Sequence, residues 1–270
     1  TYILEINILA FIMPNIMIDS TQSSSRLLEI DINPEIPVIL PQIVTMGLRD
    51  KAGKPKMTSR AKLWLSSLLI YSVFVFWYTD FSGPLSDPEV DQFVATLKKR
   101  NTEPETIAYF ETFFRHDTGR QFLMLNNLDM AYNPPDVHGA EPGESADQLM
   151  GRYMEHMYPE LFKRASHPVI FGQAAYSALD MVGIENATEM QEWTDGAMFR
   201  YRSRRTFMEI VANPNIKGRH EFKLAALVKT IAYPIETRIY LGDMRLLLGL
   251  ILLSLTALLD NLRLARRSSV

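Results

Sequence analysis

Cysteine is absent from the 270 residues, which excludes disulfides, cysteine-ligated zinc, iron–sulfur clusters and a thiol nucleophile. The absence leaves the redox compartment open, because a cysteine-free chain survives anywhere. An excess of one charge is also lacking: 28 basic side chains face 31 acidic ones, a formal charge of -3. No global basic field therefore argues for nucleic acid, and none is expected as a partner. The five histidines, His116, His138, His156, His167 and His220, show neither H-x-x-x-H spacing nor an H-E-x-x-H helix, so a preformed zinc motif is missing. No glycine-rich phosphate loop, serine nucleophile elbow or pair of catalytic carboxylates stands out, and no cofactor or metal is expected.

What the sequence does have is unevenness, with two apolar blocks around a polar middle. Residues 61–78, AKLWLSSLLIYSVFVFWY, carry no charge from Leu63 onward and place Trp64, Trp77 and Tyr78 near the two ends. About 20 mostly apolar helical residues cross a hydrocarbon core of about 30 Å, and aromatic rings favour its interfaces. This block is apolar on all sides, with no polar face for water, and no small-x-small cleavage site follows it. The expectation is an uncleaved anchor over 57–79. The second block, 246–259, LLLGLILLSLTALL, lies between Arg245 and Asp260. Extended to 240–264 it reaches spanning length, with Arg245 and Arg263 snorkelling towards headgroups.

Orientation follows from the basic residues. Arg49, Lys51, Lys54, Lys56, Arg60 and Lys62 precede the first block, and Arg263, Arg266 and Arg267 follow the second. The charges just beyond the first block are Asp80, Asp87, Glu89 and Asp91. The positive-inside rule puts both ends in the cytoplasm, with a tail at 265–270, and residues 80–240 outside, in the periplasm of a Gram-negative bacterium. The lipid bilayer is thus one expected partner.

Residues 1–56 read differently. Eleven Ile occur before Val44, and Pro14, Pro34, Pro37 and Pro41 interrupt every candidate helix. The expectation is an irregular extension outside the native protein, whose start would be the Met57-Thr58-Ser59-Arg60 stretch.

The middle reads as a soluble α+β unit. Residues 87–100 begin with acids and end in bases, matching a helix dipole at both ends. A second helix follows at 104–115, so 80–119 forms a helical pair. Residues 121–128 read as a strand, 145–164 as a long helix, 169–179 and 197–203 as strands, 204–211 and 222–228 as short helices, and 229–235 as a last strand. The strand–helix–strand, strand–helix–strand order over 120–239 is the split βαβ, ferredoxin-like arrangement. A sheet covered by helices on one face needs burial on the other, and a second copy packed sheet to sheet as a homodimer would supply it.

Phe122-Leu123-Met124-Leu125-Asn126, the Pro-rich loop at 133–143, the Tyr153 helix, the Gly172 strand and Tyr201-Arg202-Ser203-Arg204 together resemble the dimeric α+β-barrel superfamily. More narrowly, they are similar to its uncharacterised-domain group, in which a strand ending Tyr-Pro-Ser-Arg leads into a helix; Arg202 stands here in place of the proline. The resemblance covers about residues 120–235. The layout from Met57 onward resembles uncharacterised bacterial membrane-anchored proteins. Because the superfamily holds monooxygenases, isomerases, haem enzymes and stress proteins, the resemblance implies a fold more than a function.

Candidate ligand-binding residues are Asn126, Tyr201, Arg202, Arg204 and His167. On a continuous strand Arg200, Arg202 and Arg204 share one face, where three guanidiniums need an anion or acidic neighbours. Glu189, Glu192, Asp195 and Glu209 are the acids the sequence offers. Asn126 interrupts an apolar strand, and a buried amide needs partners. The functional expectation is a membrane-anchored extracytoplasmic domain that binds a small anionic ligand or a partner protein. The resemblance adds two alternatives: a cofactor-independent oxygenase or isomerase using Asn126, Tyr201 and Arg204, and haem binding through His167 or His220. Whether the protein is an enzyme stays open.

Overall fold

The computed structural model describes residues 48, 49, 55–184, 188–214 and 219–268; the reading of residues 1–56 as an extension lies outside them except at 48, 49, 55 and 56. The chain divides into two units at Gly47 and Leu48, and the described residues belong to the second. In chain order the main elements are α1 (Ser59–Tyr78), α2 (Asp87–Lys99), α3 (Pro104–Arg115), β1 (Phe122–Met130), α4 (Ala146–Lys163), β2 (His167–Gln173), α5 (Thr188–Gln191), β3 (Asp195–Tyr201), α6 (Arg204–Ala212), α7 (His220–Ala226), β4 (Leu227–Ile235) and α8 (Met244–Ser268).

Local chemistry accounts for most boundaries. Ser86 and Glu89 form a capping box at α2, with Asp87 and Glu89 in the first turn and Lys98 and Lys99 in the last. Ser145 and Gln148 form a second box at α4. That helix ends at Lys163, one residue before the expected 164, and beyond it Ala165 takes a left-handed φ of 51°. Ser166 N–H then donates back to the Leu161 carbonyl at 2.9 Å, and the Ala165 carbonyl is turned inward. Pro168 consequently sits inside β2, on an edge strand where a missing N–H is tolerated.

The four strands form one antiparallel sheet in the order β2-β3-β1-β4. Phe122 pairs with Tyr201, Leu123 with Arg200 and Ile235, and Arg200 with His167. Side-chain alternation therefore sends Phe122, Met124, Asn126, Phe199 and Tyr201 to one face, and Leu123, Leu125, Met198, Arg200 and His167 to the other. The first face is covered by α4 and α6 through Phe122, Met157, Leu161, Tyr201 and Ile210. Farther along, α4 and α7 enclose Leu149, Phe222 and Ala226. The α2–α3 pair has its own core of Val90, Phe93, Leu97, Ile107 and Phe114, joined to the sheet domain through Phe113 and Phe207. On the other face Ile170, Ile231 and Tyr233 stay exposed.

Three sequence expectations are corrected. The second strand stops at Gln173, and Tyr176 and Leu179, apolar enough to read as strand, lie exposed on a loop. The third strand stops at Tyr201, so Arg200, Arg202 and Arg204 do not share a strand face: Arg202 is in a bend and Arg204 opens α6. The second long helix also runs later than 240–264.

Helices α1 and α8 are long and apolar enough to cross a membrane. Neither is a core helix, since only 6% and 11% of their most apolar stretches are buried. They pack antiparallel. Arg60 Nε donates to Asp260 at 2.8 Å, the Ser67 and Thr256 hydroxyls meet at 2.6 Å, and Tyr71 lies against Gly249.

Candidate functional site

Backbone parity at the end of β3 separates two neighbours. Tyr201 points into the helix layer, stacked on Phe122 with centroids 5.1 Å apart, and burial pushes its phenol well above the ordinary value. It is a core residue. Arg200 points to the other side and is fully buried. Its Nε donates to Gln121 Oε1 at 2.7 Å, Nη1 to the Ala165 carbonyl at 2.6 Å, and Nη2 to the Tyr78 carbonyl at 2.9 Å. Its guanidinium carbon also lies 3.5 Å from the centre of the Tyr78 ring.

Every Arg200 hydrogen-bond partner is a neutral acceptor, and among the described residues no carboxylate forms an ion pair with it. Burial pushes its pKa down to about 10, so it remains a cation near neutrality. Burying a charge is costly, and the carbonyl dipoles and the nearby Asp243 carboxylate, which is not bonded to it, offset that cost only in part.

The neighbouring arginines divide by role. Arg202 donates Nη2 to the Thr79 carbonyl at 2.9 Å, while its Nε is buried without a hydrogen-bond partner. Arg204 is a structural staple: Nη1 donates to the Phe113 and His116 carbonyls, and Nη2 to Glu236 Oε1 at 2.6 Å. Arg205 donates Nε to Glu89 Oε1 at 2.8 Å. Arg245 holds Asp243 through two nitrogens and donates to Thr79 Oγ1 at 3.0 Å. The acids that pair with Arg204 and Arg205 come from distant segments; Glu209, one of the acids expected near them, pairs with Arg164 instead.

Arg200, Arg202 and Arg245 meet around a cavity of about 270 Å³. Its wall carries Arg120, Arg200, Arg202 and Arg245 together with Asp80 and Glu236. Both carboxylates have other work. Asp80 accepts from Ser203 Oγ at 2.6 Å and from the Ser82 N–H. Burial alone would raise its pKa, but those hydrogen bonds outweigh burial and hold it below the ordinary value. Glu236 accepts from Arg204 and from Thr118 Oγ1. Gly119 closes one side: at φ +71°, an added Cβ there would stand 2.8 Å from the backbone of Gly83 and Pro84.

Of the five candidate ligand-binding residues, Arg202 lines this cavity, and Asn126, Tyr201, Arg204 and His167 do not. Asn126 sits on the helix-facing side of β1 and donates Nδ2 to the Met124 carbonyl at 3.1 Å. His167 is bound at both ring nitrogens: Nδ1 donates to the Pro168 carbonyl at 2.8 Å, which leaves Nε2 to accept from the Tyr78 hydroxyl at 2.7 Å. Sequence reasoning missed Tyr78, Thr79 and Gln121 as site residues. Arg200, weighed in the sequence only as one of three arginines in a row, stands on the cavity wall with Arg202.

No family model matches the chain, and no curated protein matches it. Among solved structures, a protein of unknown function from Rhodopseudomonas palustris is 17% identical, with a TM-score of 0.40 over 51% of this chain and 95% of its own. A protein from Arabidopsis thaliana is 19% identical, with a TM-score of 0.28 over 44% of this chain and 99% of its own.

Proposed function

We propose that the protein is an integral membrane protein whose extracytoplasmic α+β domain binds a small anion in the arginine-lined cavity. One observation carries the reading: Arg200 is a buried cation held only by neutral acceptors, on the wall of a cavity beside an unpartnered Arg202 nitrogen. A carboxylate or phosphate there would supply the missing countercharge, and guanidinium groups match both in bidentate geometry.

Membrane insertion through α1 and α8 is supported by the breadth of their exposed apolar surface, including Leu68, Leu69, Val73, Phe76, Leu250, Ile251 and Leu258. Soluble monomers rarely expose so large a patch. Basic residues at the outer ends of both helices favour cytoplasmic termini and a periplasmic domain in a bacterial inner membrane. A ferredoxin-like assignment is supported by the strand order, in which β1 and β2 run parallel on either side of β3. The exposed Ile170, Ile231 and Tyr233 suit a second copy packed sheet to sheet.

The test is thermal melting of the full chain in detergent with added inorganic phosphate or acetate. The expected result is a dose-dependent rise for the wild type and a rise several-fold smaller for Arg202→Gln. Equal responses in the two proteins, or none even at the highest anion concentrations, would remove the anion site.

A further inference from the structure

We infer that the anion held in this cavity is the phosphate of a phospholipid headgroup, taken from the leaflet where α1 and α8 end. The inference rests on the anion-binding reading above and adds the source of the ligand.

Position is the first argument. Thr79 directly follows the last residue of α1, and Arg245 is the second residue of α8; both line the cavity. If these helices cross a bilayer, the cavity lies where hydrocarbon gives way to headgroups, because the helix ends are fixed at that depth. Exposed side chains mark the same level. Trp77 stands in the last turn of α1 and Phe81 follows it, and Ile239 and Leu241 precede α8, the two aliphatic ones 83% and 75% exposed. Tryptophan at a helix end and bare aliphatic groups beside it suit the interfacial zone rather than water.

Donor chemistry is the second argument. Arg200 is a buried cation with no carboxylate bonded to it, and Arg202 Nε is buried without an acceptor. Arg120, on the same wall, is exposed and forms no ion pair among the described residues. The cavity thus brings charge that its own acids do not cancel to a depth where phosphates are the abundant anions.

Size is the third. At about 270 Å³ the cavity falls below the roughly 300–1,000 Å³ of pockets that enclose drug-sized ligands. A phosphate with part of its glycerol fits inside, and acyl chains must remain outside, along the exposed sides of α1 and α8.

The experiment uses the full chain, delipidated in a neutral detergent, and reads the melting temperature while phosphatidylglycerol, phosphatidylcholine, glycerol 3-phosphate or inorganic phosphate is added. The expected result is a rise with either lipid at concentrations where the two soluble phosphates do little, with apparent affinity about tenfold or more weaker in Arg202→Gln. Arg202 is only partly buried, so this variant is expected to fold; Arg200→Gln is read alongside it where its circular dichroism matches wild type. Stabilisation by soluble phosphates equal to that by the lipids would overturn the lipid source while leaving the anion site standing. Equal lipid stabilisation in wild type and Arg202→Gln would overturn the lipid source, as a solvent effect of the bilayer components. No stabilisation by any of the four would overturn both.

Discussion

The Tyr78 hydroxyl donates to His167 Nε2 at 2.7 Å, tying the last residue of α1 to the first residue of β2. The two rings also stack, with centroids 5.7 Å apart. An apolar helix and a sheet domain are thereby joined through a side-chain bond that only a neutral imidazole can accept. Burial, ahead of the nearby Arg200 charge, pushes the His167 pKa below its ordinary value of 6.5. The unfolded chain therefore takes up this proton first as pH falls. Stability is fully present above about pH 6.5 and declines below it, until the folded ring also titrates. His220, lowered by burial and by Lys223, adds a change of the same sign. Thermal melts at about pH 7.5 and about pH 5.5 should show a larger loss for wild type than for His167→Gln. Equal losses would place the titration elsewhere.

The fork of Arg200 is a second point of dependence. Three acceptors, from Tyr78, Gln121 and Ala165, converge on one planar group. An ammonium at the end of a shorter, non-planar side chain keeps the charge and loses the fork. Arg200→Lys is expected to leave at least one buried acceptor without a donor, at a cost of about 1–3 kcal/mol. The urea midpoint of the full chain in detergent measures it. A midpoint unchanged from wild type would mean that charge alone, not geometry, holds the junction.

Much of the fold was legible because its signals are local. Acids and bases at the ends of 87–99, Pro104 at the start of α3, and alternating or four-residue apolar spacing all act within a few residues of where they are read. The two long apolar helices were legible from length alone. The second strand was overextended because Tyr176 and Leu179 are as apolar as strand residues, and only the missing ladder partners reveal a loop. The site was less legible for a related reason. Arg200 is held by two backbone carbonyls and a glutamine from segments 122, 35 and 79 residues away, and carbonyls carry no sequence signature. One of them depends on the left-handed Ala165, where no glycine announces the turn. Arg204 looked like the better ligand residue from its motif, and the structure spends it on α3 and Glu236 instead.

Acid should act on a different pair. Glu89 closes the capping box of α2 and accepts from Arg205 Nε at 2.8 Å. The Arg205 hydrogen bond, followed by those from Ser86, brings its carboxyl down to about 2 from an ordinary 4.5. This contribution is present above about pH 4.5 and is lost as pH falls towards 2, because the unfolded chain is protonated first. The carboxylate is 38% exposed, so solvent screens the effect. Glu89→Gln keeps a side-chain acceptor for the Ser86 N–H and removes the charge. Its acid-unfolding curve should therefore be flatter than that of wild type over this window. Superimposable curves would show that the Arg205 pair contributes nothing to acid sensitivity.

The helix pair offers a test made by substitutions outside the domain. Ser67 and Thr256 meet at 2.6 Å midway along α1 and α8, and a Cβ added to Gly249 would approach Tyr71 Cε2 at 3.3 Å. Between apolar helices in lipid, close packing and such polar contacts replace the hydrophobic drive that water would supply. Coupling between Ser67→Ala and Thr256→Val, measured by a double-mutant cycle in micelles, should be about 0.6 kcal/mol and no more than about 1.7 kcal/mol. Gly249→Leu should separate the helices further, because a branched side chain at that contact must displace the Tyr71 ring. Since Thr79 and Arg245 bond to each other at the domain end of the same pair, separation there should also loosen the cavity wall. The expected signature is a smaller stabilisation by phosphate in Gly249→Leu than in wild type. If Gly249→Leu leaves both helix coupling and the phosphate response intact, the two helices pack independently of the cavity they border.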